Sequence, residues 1–216
     1  YNLTDFNVMR KALIFTSFID NLEKIRLDFN SYKSIICADG GYIAAQKLGI
    51  KPSVFIGDYD SGIQPADGTV IKLPTEKDMT DSEAAVDLAI SKGYDEITVL
   101  GGLGGRFDHT MGNIGIIAKY ADSPYKVTLV DGNNKVYMLC PGNHRIKKSN
   151  YKYLGLISYG CSCHGLNISG VKYPLSNCNL KNNTTLGVSN EILDSEARLS
   201  FKKGRLLIIE SNDVKS

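Results

Sequence analysis

The sequence predicts an α/β N-terminal domain built on a mostly parallel sheet, followed by an all-β C-terminal sandwich domain. Three observations carry that expectation. Up to Asp131, short apolar runs alternate with helical patterns. These runs are apolar throughout rather than every second residue, as strands covered on both faces are. From Gly132 onward the helical period stops, and short β-like runs between turn residues take over. The charge balance turns at the same place, with 13 Lys and Arg against 18 Asp and Glu up to Asp131, and 12 against 5 beyond it. The expected domains are therefore 1–131 and 132–216.

The elements follow in order. Lys11–Phe15 reads as a buried strand, and Asp20–Asn30 as a helix with a broken stripe of Leu22, Ile25, Leu27 and Phe29. Ser34–Ala38 is a second strand, stopped by Asp39-Gly40-Gly41; Tyr42–Leu48 is a helix ending at Gly49, a residue suited to the left-handed C-terminal position. Ser53–Gly57 and Thr69–Leu73 are strands. Thr80-Asp-Ser-Glu83 is a capping box that opens a helix with Ala84, Ala85, Leu88 and Ala89 on one side, closed by Gly93. Glu96–Leu100 and Lys126–Val130 are strands flanking a helix over Phe107–Ala121. In the second half, Val136–Leu139, Tyr151–Ser158 and Leu206–Glu210 are the clearest strand runs.

Composition narrows the function classes. With 43% apolar residues the chain has enough material for a sizeable core, which excludes a disordered segment. No apolar run approaches the roughly 20 residues needed to cross a bilayer, so no membrane partner is expected. Tyr1–Val8 lacks the basic flank and apolar stretch of a secretory signal. A net charge of +2 argues against a nucleic-acid partner, and the Lys and Arg of the second half are scattered except at Arg145-Ile-Lys147-Lys148. The cysteines Cys37, Cys140, Cys161, Cys163 and Cys178 are odd in number with no C-x-x-C, and the chain is too large to need a disulfide framework, which suits reduced thiols in a cytoplasmic protein. Cys161-Ser-Cys163-His164 has a one-residue spacer, shorter than zinc ligand pairs use. His144 and His164 have no supporting context.

The acidic residues carry the first functional signal. Asp outnumbers Glu 16 to 7, and nine of the Asp lie between Asp39 and Asp108. Surface solubility does not require that bias; turns, helix caps and hard-cation binding do. Ligands of open parallel sheets bind beyond the carboxyl ends of the strands, and several predicted strand ends run into Asp or Gly: Asp39-Gly40-Gly41, Gly57-Asp58-Tyr59-Asp60-Ser61 and Gly101-Gly102-Leu103-Gly104-Gly105-Arg106. Lys77-Asp78-Met79-Thr80-Asp81 sits at a helix start.

Residues two apart in extended backbone point the same way, so Asp58 and Asp60 repel unless a cation lies between them. The alternative for this pair is a turn at a strand end. Four glycines in Gly101–Gly105, followed by a helix N-terminus, suit a phosphate. The segment matches neither the dinucleotide fingerprint nor the P-loop. Arg106 beside it reads as a phosphate clamp, or alternatively as the ion-pair partner of Asp108. Asp108 and His109, at the helix start, read either as catalytic groups or as a cap and a structural histidine.

In this order and spacing, Asp39-Gly40-Gly41, Gly57-Asp58-Tyr59-Asp60-Ser61, Lys77-Asp78-Met79-Thr80-Asp81 and Gly104-Gly105-Arg106-Phe107-Asp108-His109 resemble the signatures of thiamine pyrophosphokinases. Gly170-Val-Lys-Tyr173-Pro174-Leu175 and Gly187-Val-Ser-Asn190-Glu191 resemble that family's C-terminal motifs, and the likeness runs from about Lys11 to Glu210.

The resemblance implies transfer of pyrophosphate from ATP to the hydroxyethyl group of thiamine, by a homodimer with active sites at the subunit interface. It places Asp58, Asp60 and Asp81 around Mg²⁺ and the triphosphate, with Arg106 as a further catalytic group. Asp39, Gly40, Ser61, Lys77, Asp78, Thr80, Gly104, Gly105, Asp108 and His109 fall on the nucleotide side. Tyr173, Ser189 and Asn190 fall near thiamine. Domain 1–131 would bind ATP and metal, and 132–216 would bind thiamine and dimerise. The rival readings are the same transfer to another alcohol, such as a hydroxymethyl pterin, a Mg²⁺-dependent nucleotidyltransferase or phosphohydrolase, and a non-catalytic nucleotide or thiamine diphosphate sensor.

Overall fold

In the computed structural model, residues 9–58 and 68–214 are described. The chain divides into two compact units, Tyr1–Ile116 with Ser123–Gly132, and Ile117–Asp122 with Asn133–Ser216.

The first unit contains β1 (Lys11–Phe15), β2 (Ser34–Ala38), β3 (Val54–Gly57), β4 (Thr69–Lys72), β5 (Glu96–Leu100) and β6 (Lys126–Val130). They lie in the order β4-β3-β2-β1-β5-β6, and each neighbouring pair is parallel. The connections hold α1 (Tyr42–Lys47), α2 (Asp81–Ser91) and α3 (Phe107–Tyr120), the last of which starts in this unit. The central runs became strands because successive residues of both faces are buried, as along β1 and β3, and Leu13, Phe15, Cys37, Phe55, Leu100 and Val130 share one buried cluster, while the edge strand β4 is largely exposed. α2 buries Ala84, Ala85, Val86 and Ala89, side chains small enough to bring the helix axis close to the sheet. The order runs outward from β1 through β2 on one side and starts again with β5 on the other, which opens a crevice at the carboxyl ends of β1 and β5. Gly41 fits this end because a Cβ there would collide with the Phe15 carbonyl.

One expected helix is corrected. Asp20–Asn30 forms two single 3₁₀ turns, Leu22–Lys24 and Phe29–Ser31. Ile25, Leu27 and Phe29 are spaced by two, so an extended chain, not a helix, turns all three toward the core, where they pack. The Phe29 ring stacks on Phe15 at 6.4 Å. Asn21, in the left-handed region at φ 48, and the Asp28 side chain, which accepts from the Asn30 amide, fix the two turns.

Beyond the end of α3, the named strands of the second unit pair antiparallel. β7 (Asn134–Leu139), β13 (Leu206–Ser211) and β9 (Tyr153–Ser158) are adjacent, while β11 (Leu175–Leu180), β10 (Cys163–Ser169), β12 (Glu196–Phe201) and β8 (Gly142–Lys147) form a four-stranded sheet. Leu154, Leu156, Leu206 and Ile208 from the first group meet Leu166, Ile168, Leu199 and Phe201 from the second in one core, which makes a sandwich. Strands β8, β10, β11 and β12 carry more polar residues than β7, β9 and β13 and gave no clear run in the sequence. They bury one face and leave the other polar, as Ala197, Leu199 and Phe201 inside and Arg198 outside show along β12.

Candidate active site

A cavity of about 210 Å³ lies beyond the strand ends of the first unit, lined by Ser17 after β1, Asp39 after β2, Lys77, Thr80 and Asp81 before and at α2, and His109 in the first turn of α3. Each lining segment leaves a strand or enters a helix, where backbone direction changes and side chains converge. Asp39 takes the left-handed conformation at φ 47. Gly57, at the end of β3, makes room for it: a Cβ on Gly57 would come 3.2 Å from the Asp39 Cα. The Thr80 hydroxyl caps α2 by accepting from the Glu83 amide at 3.2 Å, as the capping box predicts.

Lys77 joins two of the predicted carboxylates. Its Nζ is 3.1 Å from Asp81 Oδ1 and 3.6 Å from Asp58 Oδ2, and it donates to the Pro74 carbonyl at 3.2 Å. Asp81 Oδ1 is buried and, among the described residues, its partner is the Lys77 ammonium, an ion pair at 3.1 Å. Burial raises the Asp81 carboxyl above its ordinary range; Lys77 offsets part of this, while the Asp58 and Asp39 charges push it further up. Among the described residues no three His, Cys, Asp or Glu side chains are arranged as a metal site. Asp60 and Ser61 lie outside the described residues.

α3 holds the glycine segment in place. Asn113, buried within α3, donates from Nδ2 to the Gly102 carbonyl at 2.8 Å, and the Gly102 amide donates to the Phe18 carbonyl at 3.0 Å. Gly102 has φ +73, and a Cβ there would collide with the Asn113 amide group. The Thr110 hydroxyl accepts from the Gly104 amide at 3.0 Å and donates to the Gly104 carbonyl at 3.2 Å. The Gly104 amide therefore has a protein partner. A Cβ on Gly104 or Gly105 would come 3.2 or 3.3 Å from the Phe18 ring, which lies against both. Ser17, Thr110 and Asn113 were not singled out by the sequence reading. Their signal is a polar residue just past a strand and polar residues at i, i+3 in a helix.

Arg106 and Asp108 pair with each other, with Nη2 to Oδ2 at 2.6 Å and Nε to Oδ1 at 3.2 Å, and both are exposed. Asp108 Oδ1 also accepts from the His109 amide at 2.9 Å, and the Arg106 guanidinium holds its carboxyl below the usual range. Asp78 is exposed, and Gly40 sits beside Ser17. The cluster formed by the sequence-predicted residues is thus Asp39, Asp58, Lys77, Thr80, Asp81 and His109; Arg106 and Asp108 are engaged with one another.

In the second unit, Ser189 has φ 61 and lines a cavity of about 440 Å³ with Tyr153, Ile157, Val188, Ile209 and Asp213. Asn190 is buried, pairs with Leu154 through both backbone groups, and bonds the Tyr173 peptide with both side-chain atoms. The Tyr173 side chain is 57% exposed, with the Lys172 ammonium 5.6 Å from its ring centre.

The family model described as thiamin pyrophosphokinase, catalytic domain, matches residues 26–129, and the one described as thiamin pyrophosphokinase, vitamin B1 binding domain, matches 143–206. The chain belongs to the thiamine pyrophosphokinase family. A thiamine pyrophosphokinase of Bacillus subtilis is 37% identical over 186 residues, covering 82% of this chain and 87% of its own. Thiamin pyrophosphokinase 1 of Caenorhabditis elegans is 27% identical over 197 residues, covering 84% and 81%. A crystal structure of thiamine pyrophosphokinase from Bacillus subtilis superimposes with a TM-score of 0.83 at 31% identity, covering 95% of this chain and all of that one. The stretch matching the thiamine pyrophosphokinase catalytic domain contains every residue of the Asp39–His109 cluster, and the vitamin B1 binding stretch contains Tyr173, Ser189 and Asn190.

Proposed function

We infer that this protein transfers pyrophosphate from ATP to the hydroxyethyl oxygen of thiamine, giving thiamine diphosphate and AMP. The observation that carries the reading is the pairing of Lys77 with Asp58 at a strand end and Asp81 at a helix start, with Asp39 acting on Asp81, inside the stretch that matches the catalytic domain. The match of residues 143–206 to a vitamin B1 binding domain favours thiamine over a pterin acceptor.

A hard divalent cation fits the donor set, which is carboxylate oxygen, and fits the buried Asp81 Oδ1, which among the described residues has no geometrically good hydrogen bond. Mg²⁺ held by Asp58, Asp81 and Asp60 would supply charge neutralisation at the phosphate oxygens. The protein's own groups do the rest. Lys77 and Arg106 bring positive charge to the triphosphate, with Asp39 and Asp78 supporting the carboxylate cluster. Gly40, Ser61, Thr80, Gly104, Gly105, Asp108 and His109 complete the nucleotide side. A carboxylate of the cluster takes the hydroxyl proton as the thiamine oxygen bonds to the β-phosphorus. The bond from that phosphorus to the oxygen shared with the α-phosphorus breaks, and AMP leaves. Tyr173, Ser189 and Asn190 form the thiamine side.

The proposed division of labour assigns ATP and metal to residues 1–131, and thiamine and dimerisation to 132–216. The protein would act as a cytoplasmic homodimer with active sites at the subunit interface. Five free cysteines suit a reducing compartment. The deciding experiment is incubation with ATP, Mg²⁺ and thiamine: AMP and thiamine diphosphate are expected. Formation of ADP, or AMP release that does not depend on thiamine, overturns the reading.

A further inference from the structure

Lys77 is placed where a metal cation would be expected. Its ammonium lies within 3.1 Å of Asp81 Oδ1 and 3.6 Å of Asp58 Oδ2, and its side chain is only 15% exposed. Among the described residues this ammonium is the ion-pair partner of the buried Asp81 Oδ1. Among the described residues one monovalent ammonium lies between Asp58 and Asp81, with Asp39 acting on the same carboxyl, and a divalent ion would bring twice its charge to that place. Lys77 also holds a hydrogen bond to the Pro74 carbonyl at 3.2 Å, a neutral anchor that persists when the carboxylates are taken.

We propose that Lys77 is an exchangeable counter-ion: it holds the Asp58–Asp81 pair together before metal arrives, and a divalent cation displaces its ammonium from them. The inference rests on the proposed metal-dependent transfer and adds a residue that competes with the metal rather than ligating it. The same exchange would free the ammonium next to the incoming polyphosphate. It also sets a threshold, because the cation must outcompete a covalently tethered charge and not merely fill a vacant acidic cleft.

The test measures Mn²⁺ binding to the nucleotide-free protein by loss of the free Mn²⁺ electron-paramagnetic signal. Lys77→Met and Lys77→Gln should each bind Mn²⁺ about two- to fivefold more tightly than the unaltered protein, the scale of one partly exposed ion pair removed. Adding Asp81→Asn to either variant should abolish the gain. In chelator the two single variants should unfold at a lower temperature than the unaltered protein, and Mn²⁺ should raise their midpoint by more. Unchanged or weaker Mn²⁺ binding in both variants, or a gain that survives Asp81→Asn, overturns the proposal. Thiamine-dependent AMP formation by the unaltered protein is assayed alongside. Its presence with no Mn²⁺ gain removes the exchange and leaves the activity standing, whereas its absence removes the activity itself.

Discussion

Asn190 clamps the Tyr173 peptide from both sides. The Tyr173 amide donates to Asn190 Oδ1 at 3.0 Å, and Asn190 Nδ2 donates to the Tyr173 carbonyl at 2.9 Å. The side chain thus imitates a strand neighbour, and the same Oδ1 also accepts from the Glu191 amide at 2.9 Å. Asn190→Ala would take the partner from part-buried backbone groups and should cost about 1 kcal/mol of stability. Urea unfolding would show the loss, and KM for thiamine should rise with it because Tyr173 is no longer fixed. A raised KM with unchanged stability would instead mean that Asn190 meets thiamine directly.

Asp81 is expected to trade stability for function. Its carboxyl is raised above the ordinary value, first by burial and then by Asp58 and Asp39. A raised carboxyl destabilises the fold wherever it is ionised. The penalty is absent below the unfolded-state pKa, grows through the window up to the raised folded-state value, and is complete above it. In chelator, Asp81→Asn should therefore unfold at a higher temperature than the unaltered protein at pH 7, and the difference should vanish near pH 3. The same substitution should lower kcat at least about a hundredfold, as loss of a preorganised charge group does. A lower midpoint at pH 7 would contradict the electrostatic account.

Among the described residues the partner of Arg106 is Asp108, on an exposed surface. Arg106→Lys keeps the charge and loses the planar fork. The melting temperature should stay put while KM for ATP rises and KM for thiamine barely changes. Equal losses for both substrates, together with a lower melting temperature, would make the Arg106–Asp108 pair a structural one.

The proposed shared site makes two inactive proteins complement one another. In a mixed dimer of Asp81→Asn with Tyr173→Ala, one site carries both lesions and the other carries neither. Random reassociation makes about half the dimers mixed, so about a quarter of the sites should recover by two-fold symmetry. The unfolded variants would be refolded together and assayed for AMP release. A mixture no more active than the separately refolded variants would show that each chain works alone.

The sequence made the parallel strands legible because burial on both faces leaves continuous apolar runs such as Ala12-Leu-Ile-Phe15. It hid β8 and β12 because one face of each is solvated, and Arg145 and Arg198 interrupt the runs. The Asp20–Asn30 stretch misled because an apolar spacing of two was read as a frayed helical stripe. The carboxylates of the site were readable because strand ends and a capping box fixed their positions. Lys77 as the ion between Asp58 and Asp81 was not readable, since that relation joins a strand end to a helix start across a stretch that no local pattern specifies. The Arg106–Asp108 pair was visible only as one of two alternatives, because a two-residue separation allows the contact without requiring it.

The Phe18 ring, resting on Gly104 and Gly105, marks a place for an optical reporter. The chain contains no tryptophan, so Phe18→Trp would install a single indole against the glycine segment and nowhere else. At 48% exposure the position tolerates a larger ring without a buried void to fill or overfill. Emission from that indole would respond to whatever settles on the segment, giving a direct readout of ligand arrival in a protein that otherwise has only tyrosine and phenylalanine to report with.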